Sequence, residues 1–473
     1  MAAWPIQASN GAIPKVIWNV ASTLAAADPQ GIPRDGPLEF RGQYNNVGEP
    51  PIRITFDRNL ASADIAQVGP GAVNLITGNY QLGQSDVSVG GLSVARTFNT
   101  RQAGGIDPLF GPGWVSGVMA TSADAPFIKL TTYDSLVQVS LPDGSTLGFT
   151  KVDSTGATYQ PQVGAEKYAL TYDSATNSFQ LTDDGGNTAT FTRGTTDPTG
   201  VYTPTSVSTP GSGNTSTYSW EKVTLGTQDV MRPTRLLAPV PSGVTCTTLV
   251  RGCRALTFTY ATATTATGTA ANTWGDYLGR VKDVSYTAWD PDLPTPAMRT
   301  VVLARYTYDS TGRLRATWDP RLDYTDGSSS HSLRTTYDYD TDGTVTTMTP
   351  PAQEPWQFTY TTLPDDPGKG RLHKVTRSAL AAGTAVESVV YRIPTTGSGA
   401  PYDLSGTQTA RWGQTEPPTD ATAVFPATQV PTGNPATGTL PTSYERATVT
   451  YLDANARTVN TAQPGGYIST RNG

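Results

Sequence analysis

A chain of 473 residues with 33 basic and 39 acidic side chains, a net charge of −6, two cysteines and two histidines has room for several domains or for one large repeat structure. It lacks the basic excess that holds nucleic acid, an apolar run of about 18 residues that would span a membrane as a helix, and the Cys and His that a structural zinc site draws on. Its 47 Gly and 37 Pro, with Lys and Glu scarce beside Arg, Asp, Thr and Tyr, exclude a long helical bundle and favour strands and turns.

Residues 1–37 mix five prolines with glycine and short apolar runs such as Val16-Ile17-Trp18, and read as an N-terminal tail or linker. They carry neither a basic nor an apolar leader segment, so any export signal is expected upstream, already removed, or of another kind. Residues 38–120 form a β-rich lead-in or cap. Ile52 to Phe56 and Leu92 to Phe98 alternate as half-buried strands do, and Val73 to Thr77 runs into Gly78-Asn79. Residues 121–473 read as a β-hairpin repeat region. Aromatic strand ends recur at Phe149, Tyr172, Phe191, Tyr218, Tyr260, Tyr286, Tyr308, Tyr339 and Tyr360, each step long enough for two strands and two turns. Turn signals such as Pro142-Asp143-Gly144 and Asp184-Gly185-Gly186-Asn187 fall between them. A Pro/Thr/Gly-rich stretch near 394–443 reads as an insertion, ordered only where it lies on something.

Cys246 and Cys253 would close a small loop if joined, and a disulfide is expected from a close pair in an otherwise Cys-free chain, implying an oxidising compartment; two reduced thiols are the alternative. The sharpest unit is Tyr306-Thr307-Tyr308-Asp309-Ser310-Thr311-Gly312-Arg313-Leu314. Tyr306 and Tyr308 project to one face of a strand, where a ring can lie against its equivalent on the next hairpin. Asp309 starts the turn, Gly312 supplies a positive φ, and Arg313 opens the return strand. Tyr337, Tyr339, Asp340 and Gly343 repeat the pattern; Tyr172-Asp173 and Tyr451 with Asp453 repeat it more weakly, with Ala456 where Gly is expected.

These residues resemble the RHS or YD-repeat family of bacterial polymorphic toxins, toxin-complex subunits and teneurins. Asn74 to Tyr80, Ala95-Arg96-Thr97-Phe98-Asn99 and Phe110-Gly111-Pro112-Gly113-Trp114 resemble the segment leading into the repeats of bacterial members, and the middle portion is similar to a secreted actinobacterial branch. The resemblance implies an all-β fold of repeated antiparallel hairpins, forming a spiralling sheet or hollow shell with little helix. It also implies a secreted structural role, encapsulating a C-terminal toxin or cargo that lies downstream. The self-cleaving core and cargo domain that follow the repeats in family members are not found before Gly473, so the chain is expected to continue, or to be completed by a second subunit.

Other chemistries are weighed against turns and packing. Asp338, Asp340 and Asp342 open like a Ca²⁺ loop, but the loop's twelfth position is Thr349 and a repeat turn explains the same residues. Asp183/Asp184 and Asp365/Asp366 sit beside Gly or Pro, as turn formers rather than glycosidase carboxylates. No Gly-x-Ser-x-Gly elbow is present to supply a nucleophile for His331, in Ser329-Ser330-His331-Ser332, or for His373. The expectation is therefore no catalytic residue, no cofactor and no nucleic-acid or membrane-spanning partner. The rival to the shell is a cell-surface β-solenoid that recognises glycans.

Overall fold

The protein, as a computed structural model, is described over residues 63–464 except for short stretches at 103–108, 121–126, 134–135, 153–156, 163, 211–214, 365, 367–368, 379–382, 435–437 and 455, together with four short strands between residues 36 and 56. Residues 465–473 and most of the tail 1–37 lie outside the described residues.

The chain is all-β. Two sheets dominate, and helix among the described residues is confined to Gly406–Thr409 and a few single 3₁₀ turns. The first sheet has five antiparallel strands in chain order, Ile65–Val68, Gly71–Asn74, Tyr80–Val89, Leu92–Asn99 and Trp114–Ala120. The second has 22, from Lys129–Thr132 to Thr458–Ala462, each paired with its neighbours in chain order. Short connections and sequential antiparallel pairing are what a run of hairpins must produce.

At its beginning the large sheet closes on itself. Lys129–Thr132 pairs not only with Leu136–Ser140 but also with Val201–Ser208, so residues 129–208 make an eight-stranded barrel. A barrel of this size is filled by side chains, and here Leu130, Val139, Phe149, Leu170, Phe179 and Phe191 are buried. Phe179 packs against the rings of Tyr172 and Tyr202 at 4.7 and 4.9 Å.

Beyond the barrel the sheet continues as an open strip and coils around the five-stranded sheet. Contacts to that one small sheet come from almost the whole length of the strip. Gly90 abuts Tyr286, Gly69 abuts Val375 and Trp356, the Thr422 hydroxyl donates to the Leu75 carbonyl at 2.6 Å, and Thr458 bonds Asp64. A flat strip could not keep all these strands within reach of one partner; the right-handed twist of antiparallel sheets makes the coil. The inside of the spiral is therefore occupied, and both sheets share a single hydrophobic core.

The Pro/Thr/Gly-rich stretch is ordered because it lies on the opposite face of the strip. It also contributes a strand, Asp420–Phe425, which inserts between Thr384–Val390 and Thr448–Leu452. Ile393, Leu404, Phe425, Val449 and Tyr451 form a second core there. The expected disulfide joins Cys246 to Cys253.

Candidate functional site

The repeat unit is a hairpin turn with fixed hydrogen bonding. In the 309 turn, the Asp309 amide donates to the Arg313 carbonyl at 3.0 Å and the Gly312 amide to the Asp309 carbonyl at 3.0 Å. The same pair of bonds links Asp340 with Thr344 and Gly343, and Asp453 with Arg457 and Ala456. Each pairing shifts register by one residue at the turn, the signature of a type I turn followed by a bulge whose residue is left-handed. Gly312 and Gly343 take that position with φ of 78° and 88°, and Ala456 takes it at 64°. The aspartate side chain finishes the turn: Asp309 Oδ1 accepts from the amides of Thr311 and Arg313 and from the Thr311 hydroxyl. Burial opposes ionisation of Asp309. The bonds from Thr311, Arg315 and the two amides outweigh it and hold the carboxyl below the ordinary value.

Consecutive turns are tied by tyrosine hydroxyls. Tyr308 donates to the Val281 carbonyl at 2.8 Å, Tyr339 to Leu314 at 2.6 Å, Tyr360 to Val345 at 2.6 Å and Tyr391 to Leu372 at 2.7 Å. Every acceptor stands two residues after a left-handed glycine, Gly279, Gly312, Gly343 or Gly370. The bulge thus leaves a carbonyl exposed beside the turn, and the next repeat's phenol satisfies it. Arg313 adds a second tie, donating to the Asp340 carbonyl at 3.2 Å.

The ring partners differ from the expected hairpin-to-hairpin stacking. The rings of this face meet the five-stranded sheet and the turn that leads into its last strand: Tyr306 lies 5.1 Å from Phe110 in that turn, Tyr337 5.1 Å from Trp114, and Tyr339 6.1 Å from Phe98. At the centre Arg96 is fully buried. It makes a two-pronged ion pair with Asp86 at 2.7 and 3.1 Å, donates to the Tyr337 hydroxyl at 3.0 Å, and lies over the rings of Trp114 and Tyr337. Tyr306 donates to Asp86 at 3.0 Å, and Trp114 Nε1 to the Tyr339 hydroxyl at 3.0 Å. Asp86 reaches Arg96 because it is the extra residue of a bulge between Ser85 and Val87. A second buried ion cluster, Asp366 between Arg101 and Arg371 at 2.7 and 2.8 Å, fastens the far side of the same interface. Buried ion pairs of this kind contribute little net stability, whereas removing one partner alone leaves a costly unpaired charge.

Other sequence-predicted residues fall elsewhere. Tyr451 does not occupy the repeat-tyrosine position; Leu452 does, in the shared core, while Tyr451 turns to the second core. The shift arises because Leu452, not Tyr451, immediately precedes the aspartate. Tyr172 bonds Asn177, and Asp173 caps a longer loop in which Asn177 is left-handed. The three candidate Ca²⁺ ligands are engaged separately. Asp338 pairs with Arg315, Asp340 accepts from the Thr344 amide, and Asp342 pairs with Lys369. Among the described residues no group of His, Cys, Asp and Glu is arranged to hold a metal ion. His331 stacks on Tyr324 in a small outlying hairpin, and His373 contacts Asn434.

The sequence reading did not single out Asp86, Arg101, Arg315 or Arg371, it took Asp366 for a turn former where the structure puts a buried ion pair, and it quoted Arg96 only as part of the lead-in pattern. What the whole arrangement can do is mechanical: it holds a coiled strip in one register on a central sheet.

No family model matches the chain, and no curated protein matches it. The N-terminal domain of effector protein SpvB from Salmonella typhimurium strain LT2 is a structural neighbour with a TM-score of 0.35 and 14% sequence identity, over 49% of this chain and 95% of that one.

Proposed function

We propose that this chain is the closed end of a secreted RHS/YD-repeat shell, a structural, non-catalytic wall that encapsulates a C-terminal toxin or cargo polypeptide. The observation that carries the reading is the recurring Tyr-Asp-x-x-Gly turn whose phenol satisfies the bulge carbonyl of the preceding turn. A unit of this kind can be added indefinitely, because each copy supplies the acceptor that the next requires, and the product is a coiled wall. Two further features support the reading. The five-stranded sheet covers the inner face of the coil and so acts as the cap of one end. The disulfide suits an oxidising destination.

The test uses the product of the whole reading frame that contains this chain. Under native protease treatment, polypeptide encoded beyond Gly473 is expected to stay intact until the shell is denatured, and then to be cut at once. Cleavage of that polypeptide under native conditions, or a reading frame that encodes none, contradicts encapsulation.

A further inference from the structure

The inner face of the strip runs past the edge of the central sheet near Trp356. Trp356 and Phe358 stand two apart on one strand and so share a face. Phe358 packs on Tyr80 of the central sheet, ring centroids 5.3 Å apart, which makes that face the inner one. Val375 lies opposite Phe358, Arg377 opposite Trp356, and Glu387 opposite Val375, so these side chains belong to the inner face as well. The central sheet reaches them with its turn at Gly69, which abuts Val375 and Trp356. Beside that turn a cavity of about 730 Å³ is left, with Trp356 and Val375 as apolar lining and Arg377, Glu387 and Glu354 as charged lining.

The charges of this cavity are held apart. Arg377 faces Ala385, two residues before Glu387, and in that diagonal relation side chains of this length can meet. Among the described residues, however, neither forms an ion pair. Each is turned aside by other contacts. Arg377 lies over the Trp356 ring, 4.4 Å from its centroid, and donates to the Gln353 side chain at 2.8 Å. Glu387 Oε2 accepts from the Gly69 amide at 2.6 Å. Glu354 has no hydrogen bond or ion pair among the described residues. The cavity therefore carries one guanidinium and two carboxylates that do not neutralise one another, beside an apolar surface.

That pattern decides the class of ligand. An anion such as phosphate would meet Arg377 but also the two carboxylates. An organic cation would meet the carboxylates beside a guanidinium that already lies over the Trp356 ring. Among the described residues no group of His, Cys, Asp and Glu is arranged to hold a metal ion. A molecule that carries both charges satisfies both kinds of group, and its apolar part covers Trp356 and Val375. The volume lies in the range of small-ligand sites.

We propose that this inner-face cavity binds a small zwitterion, an apolar amino acid or dipeptide, with its carboxylate on Arg377, its ammonium on Glu387 and Glu354, and its side chain against Trp356 and Val375. Binding is a property of this chain by itself and does not rest on the encapsulating role.

The test is saturation-transfer NMR and titration calorimetry on this chain with leucine, phenylalanine, leucyl-leucine and phenylalanyl-leucine, followed by the N-acetyl and C-amide forms of whichever binds best. At least one of the four is expected to bind saturably, and the best binder tells free amino acid from dipeptide. Blocking either terminus should weaken binding about tenfold or more, the loss of one charge-assisted contact. Arg377→Gln should erase the preference for a free carboxylate, and Glu354→Gln/Glu387→Gln the preference for a free ammonium, each leaving the other preference in place. Glutamine at 387 can still accept from the Gly69 amide, so the thermal midpoint of the double variant should stay near that of the parent. The blocked ligands put the same question to the unaltered chain, whatever the variants do to folding. Silence with all four zwitterions, blocked forms that bind as tightly as the free one, or folded variants that keep both preferences would overturn the proposal.

Discussion

Removing the Tyr308 side chain separates the two contributions that the repeat tyrosine makes. Tyr308 is fully buried, and its hydroxyl reaches both the Val281 carbonyl at 2.8 Å and the Leu109 carbonyl at 3.1 Å. Tyr308→Phe removes only the donor. Leu109 keeps the Val281 amide at 3.1 Å, whereas the Val281 carbonyl loses its link to the next turn, and the expected cost is about 1–2 kcal/mol. Tyr308→Ala removes the ring as well and leaves a cavity between the strip and the central sheet. By analogy with other buried aromatic truncations, the total cost should be about 3–5 kcal/mol. Tyr402 is the control: 55% exposed on the insertion, its alanine variant should cost less than about 0.5 kcal/mol. Guanidinium denaturation followed by tryptophan fluorescence reads the difference, because Trp114 packs directly on Tyr337 in the same interface. From most to least destabilised, the expected order is Tyr308→Ala, then Tyr308→Phe, then Tyr402→Ala. Equal and small losses at positions 308 and 402 would refute the claim that the repeat face is a core.

Three further outcomes follow from the turns and the disulfide. Ala456 is left-handed where Gly312 and Gly343 stand in the equivalent turns, so Ala456→Gly should raise stability by about 0.5–1 kcal/mol while Gly312→Ala lowers it by about 2 kcal/mol, its new Cβ pressing on Tyr277 at 3.0 Å; paired denaturation curves check both signs. Because the Asp309 carboxyl is held below its ordinary value in the folded chain, its contribution is present above about pH 4 and is lost as pH falls through the folded value. The stability gap between the parent and Asp309→Asn should therefore be largest near neutrality and close on acidification, and a gap that widens at low pH would show the sign to be wrong. Reduction of Cys246–Cys253, a loop of sequence separation 7, should cost about 2–3 kcal/mol on the loop-entropy estimate, read as a lower thermal midpoint in a phosphine reductant; free thiols titrating in the unreduced, native protein would contradict the bridge.

The parts of the fold that were legible in the sequence are those set by neighbours in the chain. The turn at Asp309 and Gly312 needs only residues four apart, so its signature survives as a local pattern, as do the strand-rich composition and the close cysteine pair. The ring partners were not legible. Arg96 and Tyr337 are 241 residues apart, and nothing in either neighbourhood says that a bulge will turn Asp86 toward them. Tyr391 belongs to the hydroxyl ladder but lay outside the aromatic series, which ended at Tyr360, and Arg392 follows it where the turn motif has aspartate. The Tyr451 assignment failed for a related reason: the spacing was off by one residue, and on a strand one residue exchanges the two faces. The Pro-rich composition near 394–443 hid Asp420–Phe425, a strand whose partners on both sides come from outside that stretch.

The central claim, that the coiled strip is the wall of a container, is tested most directly by electron cryomicroscopy of the product of the complete reading frame. The account predicts that the 129–462 strip forms one end of a closed β-shell, with the central five-stranded sheet sealing that end and density for cargo polypeptide enclosed beyond it. A strip that stands as an open solenoid, with any downstream domain folded outside it in solvent, would contradict the account.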